Sequence, residues 1–92
     1  MKVTLNLGTE IEIIEVPQAI DDMDSVIKDF YNWTEKNKHI WRPIEGCSCW
    51  GIKTVIYYLE HFVLNTKDKI EIVDEPVNNN RVKHNDYPVW KF

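Results

Sequence analysis

Two kinds of hydrophobic period divide the chain into readable blocks. In KVTLNL, residues 2–7, the apolar positions Val3, Leu5 and Leu7 alternate with polar ones, the period of a half-buried strand. EIEIIEV, residues 10–16, alternates through Ile11 and Ile13 and then slips, because Ile14 and Val16 carry the apolar set on out of phase. The two blocks predict a hairpin around Gly8. A two-residue turn at Gly8-Thr9 would set Leu7 opposite Glu10 and Leu5 opposite Glu12, mixing oily and charged positions on one face. A three-residue loop, Gly8-Thr9-Glu10, avoids this by pairing Leu7 with Ile11 and Leu5 with Ile13. A bulge near Ile13-Ile14 then returns Val3 opposite Val16, and this longer loop is the expected arrangement.

The period changes after Pro17. Met23, Val26, Ile27, Phe30 and Trp33 recur every three or four residues and predict an amphipathic helix from Asp21 to Lys38, capped by Asp21 or Asp22. HIWRPIEG, residues 39–46, reads as a connecting loop, since Pro43 disfavours helix at Arg42, with Trp41 pinning the loop to the core. A second helix is expected from Ser48, its cap, to Asn65, with Ile52, Val55, Ile56, Leu59, Phe62 and Val63 on its core stripe. On a wheel of about 100° per residue, Trp50, Thr54, Tyr57, His61 and Leu64 fall on the opposite side. A helix apolar front and back is covered on both sides. DKIEIVDE, residues 68–75, predicts a third strand with Ile70 and Ile72 inward, ended by Pro76. Residues 76–92 hold a turn-like Asn78-Asn79-Asn80 and end on an alternating Trp90, Lys91, Phe92, which suits an edge strand or an apolar anchor. The sum is a single α+β domain over residues 1–92, ordered β-β-α-α-β with a possible final strand. Two helices are expected on one face of an antiparallel sheet.

Composition narrows the function classes. Ninety-two residues make one domain, and 43% apolar with 28% charged is a globular balance. The longest apolar run is too short to span a bilayer, and MKVTLNLGTE has no apolar core of a signal peptide, so a soluble cytoplasmic protein is expected. The net charge is −4, and residues 1–24 alone set one lysine against six carboxylates. Phosphate contacts need clustered Lys or Arg, so direct nucleic-acid binding is disfavoured, whereas a protein partner with a basic surface is easily accommodated. Glu10 and Glu12 are the strand carboxylates available to such a partner.

Candidate chemistry is confined to Cys47-Ser48-Cys49-Trp50. A cysteine opening a helix can be activated as a nucleophile. Ser48-Cys49-Trp50 resembles the tail of the papain-type signature Cys-Gly-Ser-Cys-Trp, a likeness that would make Cys49 the nucleophile of a cysteine enzyme. It covers three residues, lacks the glycine and has no glutamine lead-in; His84 with Asn85 or Asp86 would have to supply the base. The favoured reading is a structural Cys49 at the border of the core stripe, beside Ile52 and Ile56. A zinc site would have to unite Cys47, Cys49, His61 and one of His39 or His84. Cys49 and His61 stand about 18 Å apart along one helix, so no metal or cofactor is expected.

What remains is the stripe Trp50, Tyr57, His61, extended by Trp41. Either the C-terminal segment covers it through Tyr87, Trp90 or Phe92, or it meets a partner, since Trp and Tyr are the usual anchors of interfaces. The favoured function is a non-enzymatic protein-binding module. By size and charge it resembles phage or mobile-element inhibitors that occupy a basic site on a host enzyme handling nucleic acid. A cysteine-dependent enzyme or redox protein, and a structural homodimer closed by Trp50 and Tyr57, are the alternatives.

Overall fold

The computed structural model describes residues 1–65, 67–73 and 87–92. Four strands, β1 (Lys2–Asn6), β2 (Ile11–Glu15), β3 (Glu71–Val73) and β4 (Val89–Lys91), form a sheet in the order β3-β2-β1-β4. Between β2 and β3 come α1 (Met23–Lys36), α2 (Lys38–Glu45) and α3 (Ile52–Tyr58), which continues as a π-helical segment, Leu59–Leu64. The α+β class stands as expected, with two strands first and two last, but three helices rather than two lie between them, because residues 39–46, expected as a loop, are helical. The sheet, however, is mixed: β2 pairs antiparallel with β1 and β3, while β4 runs parallel to β1, Leu5 opposite Trp90.

The hairpin uses the short turn rather than the longer loop. Leu5 pairs with Glu12 and Val3 with Ile14, without a bulge, and the Leu7 amide donates to the Glu10 carbonyl at 2.9 Å. Gly8 takes φ +91°, a conformation costly for any other residue, as the first central position of such a two-residue turn requires. Asn6 Oδ1 accepts from the Gly8 amide at 2.8 Å. The out-of-phase run Ile13-Ile14 has a different cause from a bulge: both faces of the sheet bury apolar groups. Val3, Leu5, Ile14 and Val16 face the helices, while Ile13 and Thr4 are buried on the other face. A register argument that assumes one dry face fails when there are two.

The core lies between sheet and helices. Val3, Leu5, Ile14, Val16, Ile70 and Trp90 meet Phe30, Ile52, Val55, Tyr58, Leu59 and Leu64. Helix α1 follows the predicted stripe, shortened at both ends, with Asp22 as N-cap and its carboxylate accepting from the Ser25 amide at 3.4 Å. Residues 39–46 are not a loop: α2 holds Pro43 inside it. Proline in a helix forfeits one i→i−4 bond. Over eight residues that loss is offset by a stop at Gly46 (φ +74°), whose amide bonds the Arg42 carbonyl at 2.7 Å. The buried Trp41, which does pin this segment, donates its indole N–H to the Thr34 carbonyl at 2.9 Å. Asn37 alone joins α1 to α2, its side chain donating to the Trp33 carbonyl.

Strand β3 starts later than expected. Ile70 is buried, its amide held by Glu60 Oε2 at 2.7 Å, but Ile72 stands 50% exposed at the sheet edge rather than inward. The expected turn at Asn78–Asn80 lies outside the described residues.

Candidate functional site

Residues 48–65 are not one α-helix. Cys47, Ser48, Cys49 and Trp50 belong to the link between α2 and α3, and Ser48 caps nothing. The start of α3 is built differently. Thr54 Oγ1 accepts from the Gly51 amide at 3.2 Å, half of a capping box. Glycine has no side chain to complete it, and Glu45 of α2 does so: one carboxylate oxygen accepts from the Thr54 amide at 2.6 Å and from its hydroxyl at 2.7 Å. Thr54, expected on the outer stripe, is consequently fully buried.

Beyond Tyr58 the helix widens. In a π turn residues five apart come onto one face, whereas in an α-helix they diverge by about 140°. Leu59 and Leu64 are therefore both buried, and Phe62, expected in the core, is turned out to 53% exposure. This change of phase makes the surface of interest. Tyr57 and His61 stack at 4.1 Å between centroids, and His61 Nδ1 donates to the Tyr57 carbonyl at 2.9 Å. Trp33 of α1 stacks on Tyr57 at 6.0 Å and packs against Phe62 at 5.6 Å. Underneath lie Tyr58, 5.3 Å from Phe62, and the fully buried Phe30. The outcome is a patch of four rings, Trp33, Tyr57, His61 and Phe62, on an aromatic base.

The other predicted site residues are elsewhere. Trp50 is half-buried and packs edge-on against Phe30 at 4.9 Å and Tyr31 at 5.6 Å, away from the helical stripe assigned to it. Trp41, 2% exposed, offers no ring to a partner. Glu10 and Glu12 line a cavity of about 160 Å³ with Glu45, Lys53 and Ile72. Phe92 and Trp90 do pack inward, Phe92 at 5.2 Å from Phe30 and Trp90 beside Leu5; they cover the base rather than the exposed patch. Trp33 and Phe62 are the members of the patch that sequence reasoning placed in the core. The spacing of Leu59 and Leu64, five apart and both large and apolar, was the available signal.

The cysteines are not core residues. Both are free and exposed, and Cys47 Sγ donates to the Cys49 carbonyl at 3.0 Å. Cys49 borders an open cleft of about 320 Å³ between Leu7, Lys38, Trp41 and Trp50. His84, Asn85 and Asp86, the bases a cysteine nucleophile would need, lie outside the described residues. Among the described residues no three metal-ligating side chains converge. None of their helices is long and apolar enough to cross a membrane.

The titration of Tyr58 is shifted. Burial strips water from the Tyr58 phenolate and Asp29 repels it, so its pKa lies above the ordinary 10.0. As pH rises, the unfolded chain loses this proton first. Stability is therefore complete below the ordinary tyrosine value and declines as pH climbs through the raised one. Denaturant melts across the alkaline range are expected to show this decline in the wild type and a shallower one in Tyr58→Phe. Equal slopes would assign the alkaline loss to other groups. Comparison with protein families, with curated proteins and with solved structures finds no significant match.

Proposed function

We propose that the chain is a non-enzymatic protein-binding module that docks through Trp33, Tyr57, His61 and Phe62. The observation that carries this reading is Phe62, a phenyl ring more than half in water and held on Trp33 and Tyr58 by a π turn. π-Helical segments recur at functional sites, and aromatic anchors on a rigid base supply most of the energy of protein interfaces. The acidic balance of the chain favours a partner with a basic surface, Glu10 and Glu12 adding to long-range attraction rather than to the contact itself. An enzyme that handles nucleic acid has such a surface, and a module seated on it would act as an inhibitor.

The test is affinity capture from the host lysate with wild type and Phe62→Ser side by side, followed by titration of the captured protein. A hot-spot ring is worth about 2 kcal/mol or more, so Phe62→Ser is expected to weaken binding roughly 30-fold while the protein stays folded, its stability lowered by about 1 kcal/mol through the lost ring contacts with Trp33 and Tyr58. Affinity should also fall as salt is raised. Equal capture by both proteins would overturn the reading. Size measurement separates the homodimer: a wild type that runs as a dimer and a Tyr57→Ala variant that runs as a monomer would place a second copy on the patch.

A further inference from the structure

The link between α2 and α3 holds chemistry that the ring patch does not use. We infer that Cys47 and Cys49 form a reversible redox site, closing to an intramolecular disulfide with a low-molecular-weight disulfide as co-reactant. Three observations converge on it. Both thiols are free and exposed, in a stretch bounded by Gly46 and Gly51 that lies outside helix and sheet. Residues two apart have Cα atoms within about 7 Å, and disulfides bridge separations of about 4.4–6.8 Å, so closure needs a local adjustment only. The Cys47 thiol already lies over the backbone of its prospective partner, 3.0 Å from the Cys49 carbonyl.

The roles follow from access. Cys49 borders the open cleft beside Trp41 and Trp50, where a small disulfide can approach it; Cys47 is turned back against the link. Cys49, as thiolate, attacks one sulfur of the small disulfide. That S–S bond breaks, one small thiol leaves with the proton that Cys49 gave up, and a mixed disulfide remains on Cys49. Cys47, losing its own proton, attacks the Cys49 sulfur and expels the second small thiol. Two protein thiols are oxidised and one small disulfide is reduced to two thiols. Exposed thiols placed beside a resolving cysteine are the pattern of redox-responsive sites, and a bridge across so short a span is strained enough to be readily reduced again.

The experiment incubates the full chain with glutathione buffers of graded oxidation, quenches with a thiol-blocking reagent, and weighs the products under non-reducing conditions. The expected wild-type product is a monomer lighter by two hydrogens, restored by dithiothreitol. Cys47→Ser should instead accumulate a stable glutathione adduct on Cys49, at least tenfold above the adduct seen on wild type. Circular dichroism of wild type and Cys47→Ser verifies that both fold. A wild type that keeps as much adduct as Cys47→Ser, that yields only intermolecular dimers, or that stays fully reduced in the most oxidising buffer would overturn the inference.

Discussion

Replacing Phe30 with alanine is expected to cost about 3–5 kcal/mol, the range for a buried phenylalanine whose surroundings do not collapse into the gap. The upper end is expected here. Phe30 is fully buried and meets five other rings: Trp50, Phe92, Tyr58, Tyr31 and Trp33, at centroid distances of 4.9, 5.2, 5.3, 5.9 and 6.3 Å. Four of these are edge-on contacts, an arrangement favoured by the ring quadrupole beyond simple burial. The neighbours belong to α1, the α2–α3 link, α3 and the segment after β4, so no single element can move in to fill the space. At about 4–8 °C per kcal/mol for a domain of this size, the melting temperature should fall by roughly 15–40 °C. Phe30→Leu, which leaves a smaller void, should cost about 1–2 kcal/mol. A Phe30→Ala protein melting within a few degrees of wild type would show that this ring is not the centre of the core.

The second large effect belongs to Glu45. Its carboxylate satisfies the amide and hydroxyl of the buried Thr54 and ties α2 to the start of α3. Glu45→Ala leaves two donors without an acceptor, at about 1–3 kcal/mol for each buried group, reduced because Glu45 itself is only half-buried. A total of about 2–3 kcal/mol is expected. Glu45→Gln keeps an acceptor oxygen and should lose about 1 kcal/mol, the difference between a charged and a neutral acceptor. Urea melts measure the totals, and amide exchange localises them. The Thr54 amide should exchange faster in Glu45→Ala by more than global destabilisation explains. If alanine and glutamine behave alike, the bond at Thr54 contributes nothing and the cap lies elsewhere.

Much of this architecture was legible in residue order, and the failures share a physical origin. The stripe from Met23 to Trp33 and a cap at Asp21 or Asp22 required only local information; the stripe is found, and Asp22 is the cap. The first two strands were placed correctly, but their register was not, because burial of Ile13 on the far face depends on tertiary structure that periodicity does not carry. Pro43 hid a helix whose stability comes from Trp41 and Gly46 rather than from propensity. The helical wheel placed Ile52, Val55 and Leu59 in the core correctly, missed Thr54, which Glu45 draws inward, and drifted after Tyr58, since it assumes one angular step throughout and the π turn changes that step. Of the residues assigned to a partner surface, Tyr57 and His61 do stand together; Trp50 is detached because the helix begins after it, and Trp41 is buried. The Gly51-x-x-Thr54 pair was the sequence mark of that later start.

The parallel pairing of β1 with β4 has a consequence for assembly. Hairpin contacts between β1 and β2 close over a few residues, but Leu5 must wait for Trp90 from nearly the whole length of the chain away. Until the Thr4 amide reaches the Pro88 carbonyl and the Phe92 amide reaches that of Asn6, one side of β1 presents unpaired backbone groups. The three residues of β4 thus replace the longer edge of β1 by a shorter one, so that loosening Trp90 would bare a strand more prone to edge-to-edge pairing.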